Sequence, residues 1–274
     1  MEAAPYVLGH SDRELERLAL QERLIGAVTR RFFREAGIGD GQRVLDVGSG
    51  AGDVAFLAAE LVGETGEVIG TDRAPAAVAT AAKRAEARGL RNVSFRQGDP
   101  TVMAFDRPFD AVVGRYVLVF QPDPAASVRN LARHLRSGGV IIFHEPDLRS
   151  LRSVPPAPTY DRCCQWVYET FRLVGTEVNM ADRLHRGFVE AGLSPPTMRM
   201  QTFIGGGDGC TDWLQGLSAL ADSLVTTMEK LGVATATEVD VTTLFERMRR
   251  DVISNRSVVF GRSEVVAWSR RALE

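Results

Sequence analysis

Residues 43–53 read RVLDVGSGAGD. A short apolar run, Val44 and Leu45, leads into Asp46. Gly48, Gly50 and Gly52 follow, separated by small residues, and 54–62 reads as the start of a helix. Strand, glycine turn and helix together are the local plan of a nucleotide-binding crevice. Glycine is needed there because a side chain would keep the ligand away from the backbone and from the helix N-terminus.

Working outward, the next segments alternate. Strands are predicted at 43–47, 67–71, 92–97, 109–114 and 140–144, with helices at about 52–62, 75–88 and 124–136. Pro75 opens the second helix, and Ser137 to Gly139 make a turn. Strands alternating with helices predict a doubly wound parallel sheet with right-handed crossovers. Ahead of it, 11–36 has apolar residues at helical spacing (Leu15, Leu18, Leu24, Ile25, Val28). Beyond 145 the alternation breaks. Prolines 155, 156 and 158 precede a helical stretch with Trp166, Tyr168 and Phe171, and a second helix follows at about 180–191. A strand at 198–204, helices at about 211–231 and 237–253, and a last strand at 264–269 complete the chain. The expected organisation is one domain. Residues 1–36 form a helical N-terminal cap, 40–148 the cofactor-binding core, 149–263 helical lid insertions with strand six, and 264–274 the terminal strand.

The totals bound the function. A chain of 274 residues that is 45% hydrophobic and 25% charged is an ordinary globular protein. Its net charge of −2 gives no general pull toward nucleic acid or anionic lipid. No apolar run approaches the roughly 20 residues that span a bilayer. The beginning of the chain carries acids and a proline but no apolar segment, so no secretory signal is expected. The 3 cysteines, Cys163, Cys164 and Cys210, form neither a disulfide framework nor a Cys-x-x-Cys pair. Thiols in a reducing compartment, and a cytoplasmic protein, are the expectation. It would be a monomer or homodimer acting on a small molecule, with no nucleic-acid or membrane partner.

Four groups converge on the carboxyl edge of the predicted sheet, where ligands of open α/β sheets bind. In the glycine turn, Asp53 stands where a dinucleotide fingerprint has its third glycine, and Asp46 precedes the turn. Carboxylates on both sides suit a ligand with a cationic amine better than a pyrophosphate. Asp72 ends the second strand at about the spacing, roughly 20 residues on, from which an acid accepts bonds from ribose hydroxyls. Asp99, in Gly98-Asp99-Pro100, can accept a bond from an adenine amino group, with Val102 or Met103 packing on the ring. Arg115 and Tyr116 follow the fourth strand.

The runs VLDVGSGAGD, VIGTDRAP, RQGDP, FDAVVGRYVLVF and LRSGGVIIFHEPD, in this order, resemble the successive motifs of class I S-adenosylmethionine-dependent methyltransferases. Among these, the similarity is to the branch of ubiquinone and menaquinone C-methyltransferases and bacterial natural-product methyltransferases. It covers about residues 40–148. The resemblance implies a Rossmann-like α/β fold, a doubly wound seven-stranded sheet, with S-adenosyl-L-methionine as cofactor. It assigns the amine and carboxylate end to Asp46, Gly48, Ser49 and Gly50, the ribose to Asp72 with Arg73 beside it, the adenine to Asp99 and Pro100, and the methionine portion to Arg115 and Tyr116. Gln21 can reach the methionine end from the first helix.

His144 ends the fifth strand and can take a proton from an indole nitrogen, phenol or enol. Glu145 and Tyr6 are the other catalytic candidates; Tyr6 and His10 can also cover the cofactor. For each of these, plain packing is the competing reading. His144, Glu145 and Asp147 alternate along a strand and would not face one ion, so no metal is expected. Trp166, Tyr168, Phe171, Trp213 and Met228 can line a lid for a planar or lipophilic substrate, or form a core stripe. Arg149 and Arg152 can meet a substrate carboxylate. The leading expectation is methyl transfer to a small aromatic molecule in specialised metabolism, with carbon of an indole or quinone-like ring slightly ahead of oxygen or nitrogen. Alternatives are a nicotinamide-dependent oxidoreductase and a non-catalytic S-adenosylmethionine-binding module.

Overall fold

A computed structural model describes residues 12–273, with side chains from Leu20 onward. In chain order the elements are α1 (Asp12–Ala36), β1 (Arg43–Val47), α2 (Asp53–Val62), β2 (Glu67–Asp72), α3 (Pro75–Ala87), β3 (Val93–Gln97), β4 (Phe109–Arg115), α4 (Pro124–Ala132) and β5 (Leu135–Asp147). They continue with β6 (Arg152–Val154), α5 (Pro158–Leu173), α6 (Met180–Glu190), β7 (Thr197–Gly206), α7 (Thr211–Leu231), α8 (Ala236–Val239), α9 (Val241–Ser254) and β8 (Val258–Arg270). The described residues divide into two compact units, one comprising 26–145, 180–199 and 265–273, the other 12–25, 146–179 and 200–264.

The first of these units is the predicted parallel sheet. Its strands lie in the order β3-β2-β1-β4-β5, followed by the end of β8. The pairings β1–β2, β1–β4, β2–β3 and β4–β5 are all parallel. Every residue of β1 is buried, as a central strand covered on both faces requires. One buried layer combines Val44, Val68, Val113 and Ile142 with Phe32 and Phe33 of α1 and the apolar side of α2. The opposite layer combines Leu45, Ile69, Val112 and Phe143 with α4 and with Met180, Leu184 and Phe188 of α6. Alternate residues of each strand thus serve opposite layers.

The other unit is mainly helical. Tyr160, Cys163, Trp166 and Val167 of α5 pack with Trp213, Leu217 and Met228 of α7 and with Leu244, Met248 and Val252 of α9. Trp166, Trp213 and Met228 are therefore members of this core. Tyr160 donates its hydroxyl to the Phe260 carbonyl and accepts from the Trp213 indole. β6 pairs antiparallel with the start of β8, matching Arg152 to Phe260 and Val154 to Val258.

Three features depart from the sequence expectation. β6 lies just ahead of the proline cluster, where no strand was expected, and with it the sheet has eight strands rather than seven. The helix expected over 237–253 is two helices, because Asp240 adopts a left-handed conformation (φ 41°) that ends α8 and starts α9. β5 and β8 also extend well beyond their apolar centres. The added pairs are fixed by hydrogen bonding to neighbouring chain, which leaves no apolar period in the sequence.

Candidate functional site

The glycine turn between β1 and α2 is built on left-handed backbone. Gly48, Gly50 and Gly52 have φ of 65°, 51° and 93°. A Cβ at Gly52 would stand 2.7 Å from the Phe56 ring, whereas one at Gly50 would meet nothing within 4 Å. Gly52 is thus required by packing. At Gly50 the backbone borders open space, as a ligand-contacting turn needs.

Two polar side chains lie buried under this turn with no partner. Asp46 is 1% exposed, and neither of its carboxylate oxygens makes a hydrogen bond of ordinary geometry. The Ser49 hydroxyl is likewise buried and unmatched. Burial pushes the Asp46 carboxyl well above the usual carboxylate range. Arg115 opposes that shift, Asp72 adds to it, and the Ala55 amide opposes it weakly. Most buried polar groups in folded proteins are hydrogen-bonded, so a bare carboxylate under a glycine turn marks a place for a cationic donor. The amine-bearing end of S-adenosylmethionine is such a group, and these residues fit it.

Asp72 has a double role. Its Oδ2 accepts from the Gly50 amide at 2.9 Å and its Oδ1 from the Ala74 amide at 2.8 Å. The acid at the end of β2 thereby ties down the glycine turn, and each oxygen retains a lone pair for a ligand hydroxyl. At Asp99, Oδ1 accepts from the Thr101 amide and hydroxyl and Oδ2 from Arg73 at 2.6 Å. Partial burial raises its pKa, but these donors more than offset that and leave the carboxyl below its ordinary range. Pro100 is buried, with its carbonyl 2.7 Å from His134 Nε2. Val102, beside this acid, is 81% exposed.

Asp53 requires a correction. The sequence reading used it as a charge that repels phosphate. In the structure Arg84 pairs with it at 2.7 Å, and the Asp53 side chain is only 10% exposed. A neutralised acid makes a weak electrostatic argument, and Asp46 is the acid at this turn that is left without a partner.

The loop after β4 is organised by Glu145. This residue is 0% exposed. Its Oε1 accepts the amides of Val117 (3.0 Å) and Leu118 (2.8 Å), and its Oε2 accepts that of Val119 (3.2 Å). Tyr116 sits in the left-handed region at φ 59°, with its amide donating to the His144 carbonyl at 2.9 Å. Such a non-glycine conformation costs about 1–3 kcal/mol and persists where surrounding bonds over-determine it. These are the bonds of a loop anchor, a duty with no local signal because the three amides lie 26 to 28 residues upstream of the acid.

His144 is 0% exposed, and Phe32 and Tyr116 approach it edge-on at 5.3 and 5.9 Å. Thr29, also 0% exposed, has its hydroxyl 3.1 Å from His144 Nδ1, and the same hydroxyl accepts from Arg115 Nη1 at 3.1 Å. Thr29 was not foreseen; a threonine within a helix carries no signal of its own. Of the other candidates, Gln21 is half-buried on the stretch of α1 that belongs to the helical unit, and Tyr6 and His10 lie outside the described residues. Asp147 is held by Arg149 through two bonds of 3.0 and 2.8 Å, so Arg149 is committed to that pair.

A sequence profile described as "Methyltransferase domain" matches residues 38–192, more than half of the chain. Aklanonic acid methyltransferase DauC of Streptomyces sp. (strain C5) is 43% identical over 111 residues, 40% of this chain and 50% of that protein. A 2-phytyl-1,4-naphtoquinone methyltransferase of Synechococcus elongatus is 38% identical over 111 residues, 39% of this chain and 48% of that protein. The chain thus spans about half the length of these curated relatives. Among solved structures, geranyl diphosphate C-methyltransferase of Streptomyces coelicolor A3(2), in complex with Mg2+, geranyl diphosphate and S-adenosyl-L-homocysteine, superposes with a TM-score of 0.56. It is 20% identical, over 98% of this chain and 88% of that one, which establishes the shared fold. The buried acid, the glycine turn and the acids ending successive strands therefore stand in a chain that belongs to the methyltransferase-domain family, in its class I S-adenosylmethionine-dependent branch.

Proposed function

We propose that this chain transfers the methyl group of S-adenosylmethionine to a small aromatic or lipophilic molecule. The observation that carries this reading is the Asp46 carboxylate, buried and without a hydrogen bond under the glycine turn. Bound there, S-adenosylmethionine supplies a methyl group on a positively charged sulfur, already activated for in-line displacement. Asp46 then neutralises the amine, Asp72 accepts from ribose hydroxyls, and Asp99 with Pro100 borders the adenine. Arg115 and Tyr116 flank the methionine portion. Holding an acceptor in line with the methyl group contributes up to roughly 7–11 kcal/mol of barrier reduction, without any acid or base.

His144 and Glu145 support this chemistry indirectly. Glu145 fixes the loop that carries Tyr116, and Thr29 fixes both His144 and Arg115. Transfer to carbon of an indole or quinone-like ring remains the preferred acceptor chemistry, by likeness to the quinone enzymes.

Calorimetric titration with S-adenosylmethionine, S-adenosylhomocysteine and NAD tests the cofactor, and a labelled-methyl screen over indoles, phenols and quinols tests the acceptor. Binding of the first two ligands, lost in Asp72→Ala, together with label in one acceptor class is the expected result. Tight NAD binding without the others sinks the proposal. Cofactor binding with no acceptor labelled would favour a sensor.

A further inference from the structure

Arg73 and Asp99 stand just beyond the paired ends of β2 and β3, where Asp72 lies opposite Gln97. They meet as an ion pair, with Arg73 Nη2 donating to Asp99 Oδ2 at 2.6 Å. The Arg73 side chain is 57% exposed and that of Asp99 27%, so the pair lies open on the ligand edge of the sheet. An ion pair this exposed adds little to fold stability. What distinguishes it is which hydrogen-bonding positions around it are already taken.

At Asp99, Oδ1 is saturated, because it accepts both the amide (2.9 Å) and the hydroxyl (2.7 Å) of Thr101. Oδ2 keeps one lone pair, beside the Arg73 guanidinium. The backbone from 100 to 103 has no donor to spare. Pro100 carries no N–H, the Thr101 amide is bound to Oδ1, and the amides of Val102 and Met103 both turn back to the Asp99 carbonyl at 3.1 Å. A guanidinium has five N–H donors. Among the described residues Arg73 uses one of them, on Asp99. A ligand edge placed here therefore finds an acceptor, Asp99 Oδ2, and a donor, Arg73, side by side.

We propose that Arg73 reads the adenine ring together with Asp99. The amino group donates to Asp99 Oδ2, and a guanidinium N–H donates to the ring nitrogen beside that amino group. Adenine carries this pattern, a donor next to an acceptor, on either side of its amino group, at N1 and at N7. Arg73 is then a specificity-determining residue, because a base that lacks the acceptor leaves the guanidinium without its bond. The inference rests on the methyl-transfer reading and moves Arg73 from the ribose, where the family resemblance put it, to the base.

The test is calorimetry of the full chain with S-adenosylhomocysteine and its 1-deaza, 7-deaza and 3-deaza analogues, in the wild type and in Arg73→Met. In the wild type, either the 1-deaza or the 7-deaza analogue should bind about tenfold or more weakly than the parent, as loss of a hydrogen bond to a charged group requires. The 3-deaza analogue, altered away from the amino group, should bind like the parent. Arg73→Met should weaken the parent by that same factor and leave the sensitive analogue unchanged. Equal binding of the parent and all three analogues to the wild type overturns the proposal. So does an Arg73→Met variant that leaves the parent unweakened, or one that weakens all four ligands alike, as loss of a mere brace for Asp99 would. Failure of the wild-type protein to bind S-adenosylhomocysteine at all would instead refute the methyl-transfer reading and, with it, this role.

Discussion

Replacing Glu145 by glutamine separates a loop anchor from a catalytic carboxylate. In the native chain one carboxylate receives the amides of Val117, Leu118 and Val119 at 3.0, 2.8 and 3.2 Å. Hydrogen bonds to a charged group contribute about 1.5–3 kcal/mol each, against about 0.5–1.5 for neutral ones. Glutamine keeps one oxygen, which can serve Val117 and Leu118 at the neutral strength. Its NH2 group then faces the Val119 amide, donor against donor, and that N–H is left buried and unmatched. The lost charge assistance on two bonds and the loss of the third sum to about 3–5 kcal/mol of local stability. The assay is amide hydrogen exchange on the apo protein. Exchange at Leu118 and Val119 should accelerate on the order of 10²–10³-fold or more, while the central strands keep wild-type protection. Cofactor affinity should fall too, because Tyr116 loses its fixed loop. Wild-type exchange at these amides with a collapse of turnover alone would refute the anchoring argument and make Glu145 a proton-transferring group.

Two more predictions follow from the buried titratable groups. Asp46 has its pKa raised by burial, so the folded state holds its proton at pH values where the unfolded chain has lost it. Apo stability therefore declines as pH rises above the unfolded value of about 4. Asp46→Asn should accordingly stabilise the apo protein at pH 7 in urea unfolding, with the gain vanishing below about pH 4, while weakening S-adenosylmethionine about ten- to a hundredfold; an apo gain equal at both pH values would contradict the cause. Burial also pushes the Cys163 thiol up to about 12 and raises Cys164 well above its usual value. At pH 7 only roughly one Cys163 in 10⁵ is then thiolate, so an aromatic disulfide reagent should label neither residue until the chain is unfolded; rapid native labelling would mean that α5 opens.

The fold was legible because its determinants are local. Apolar strands alternate with helices, Pro75 opens α3, and the glycines with Asp46 fall where a strand meets a helix. These are short-range chemical facts, and they suffice for a parallel sheet with a ligand edge. Asp72 and Asp99 were legible for the same reason, since an acid at a strand end takes its position from the strand. For Glu145 the sequence left two readings open, because an acid near the end of β5 looks the same whether it meets a substrate or three backbone amides. Asp53 was misjudged because its partner Arg84 lies 31 residues away, on another helix. The core aromatics Trp166 and Trp213 share the helical spacing of lid residues.

The sequence by itself determined that this chain builds a doubly wound parallel sheet with a glycine turn after its first strand and acids beyond the next ones. Periodicity, turn glycines and strand-end acids act over a few residues, and their order along the chain fixes the crossovers. Only the tertiary structure decided what each buried charge does. Glu145 holds a loop, Arg84 neutralises Asp53, Thr29 joins Arg115 to His144, and Asp46 is left bare under the turn. The reason is physical: the free energy of a buried charge depends on which partners surround it and how far water is excluded, and both are set by segments that meet only when the chain folds.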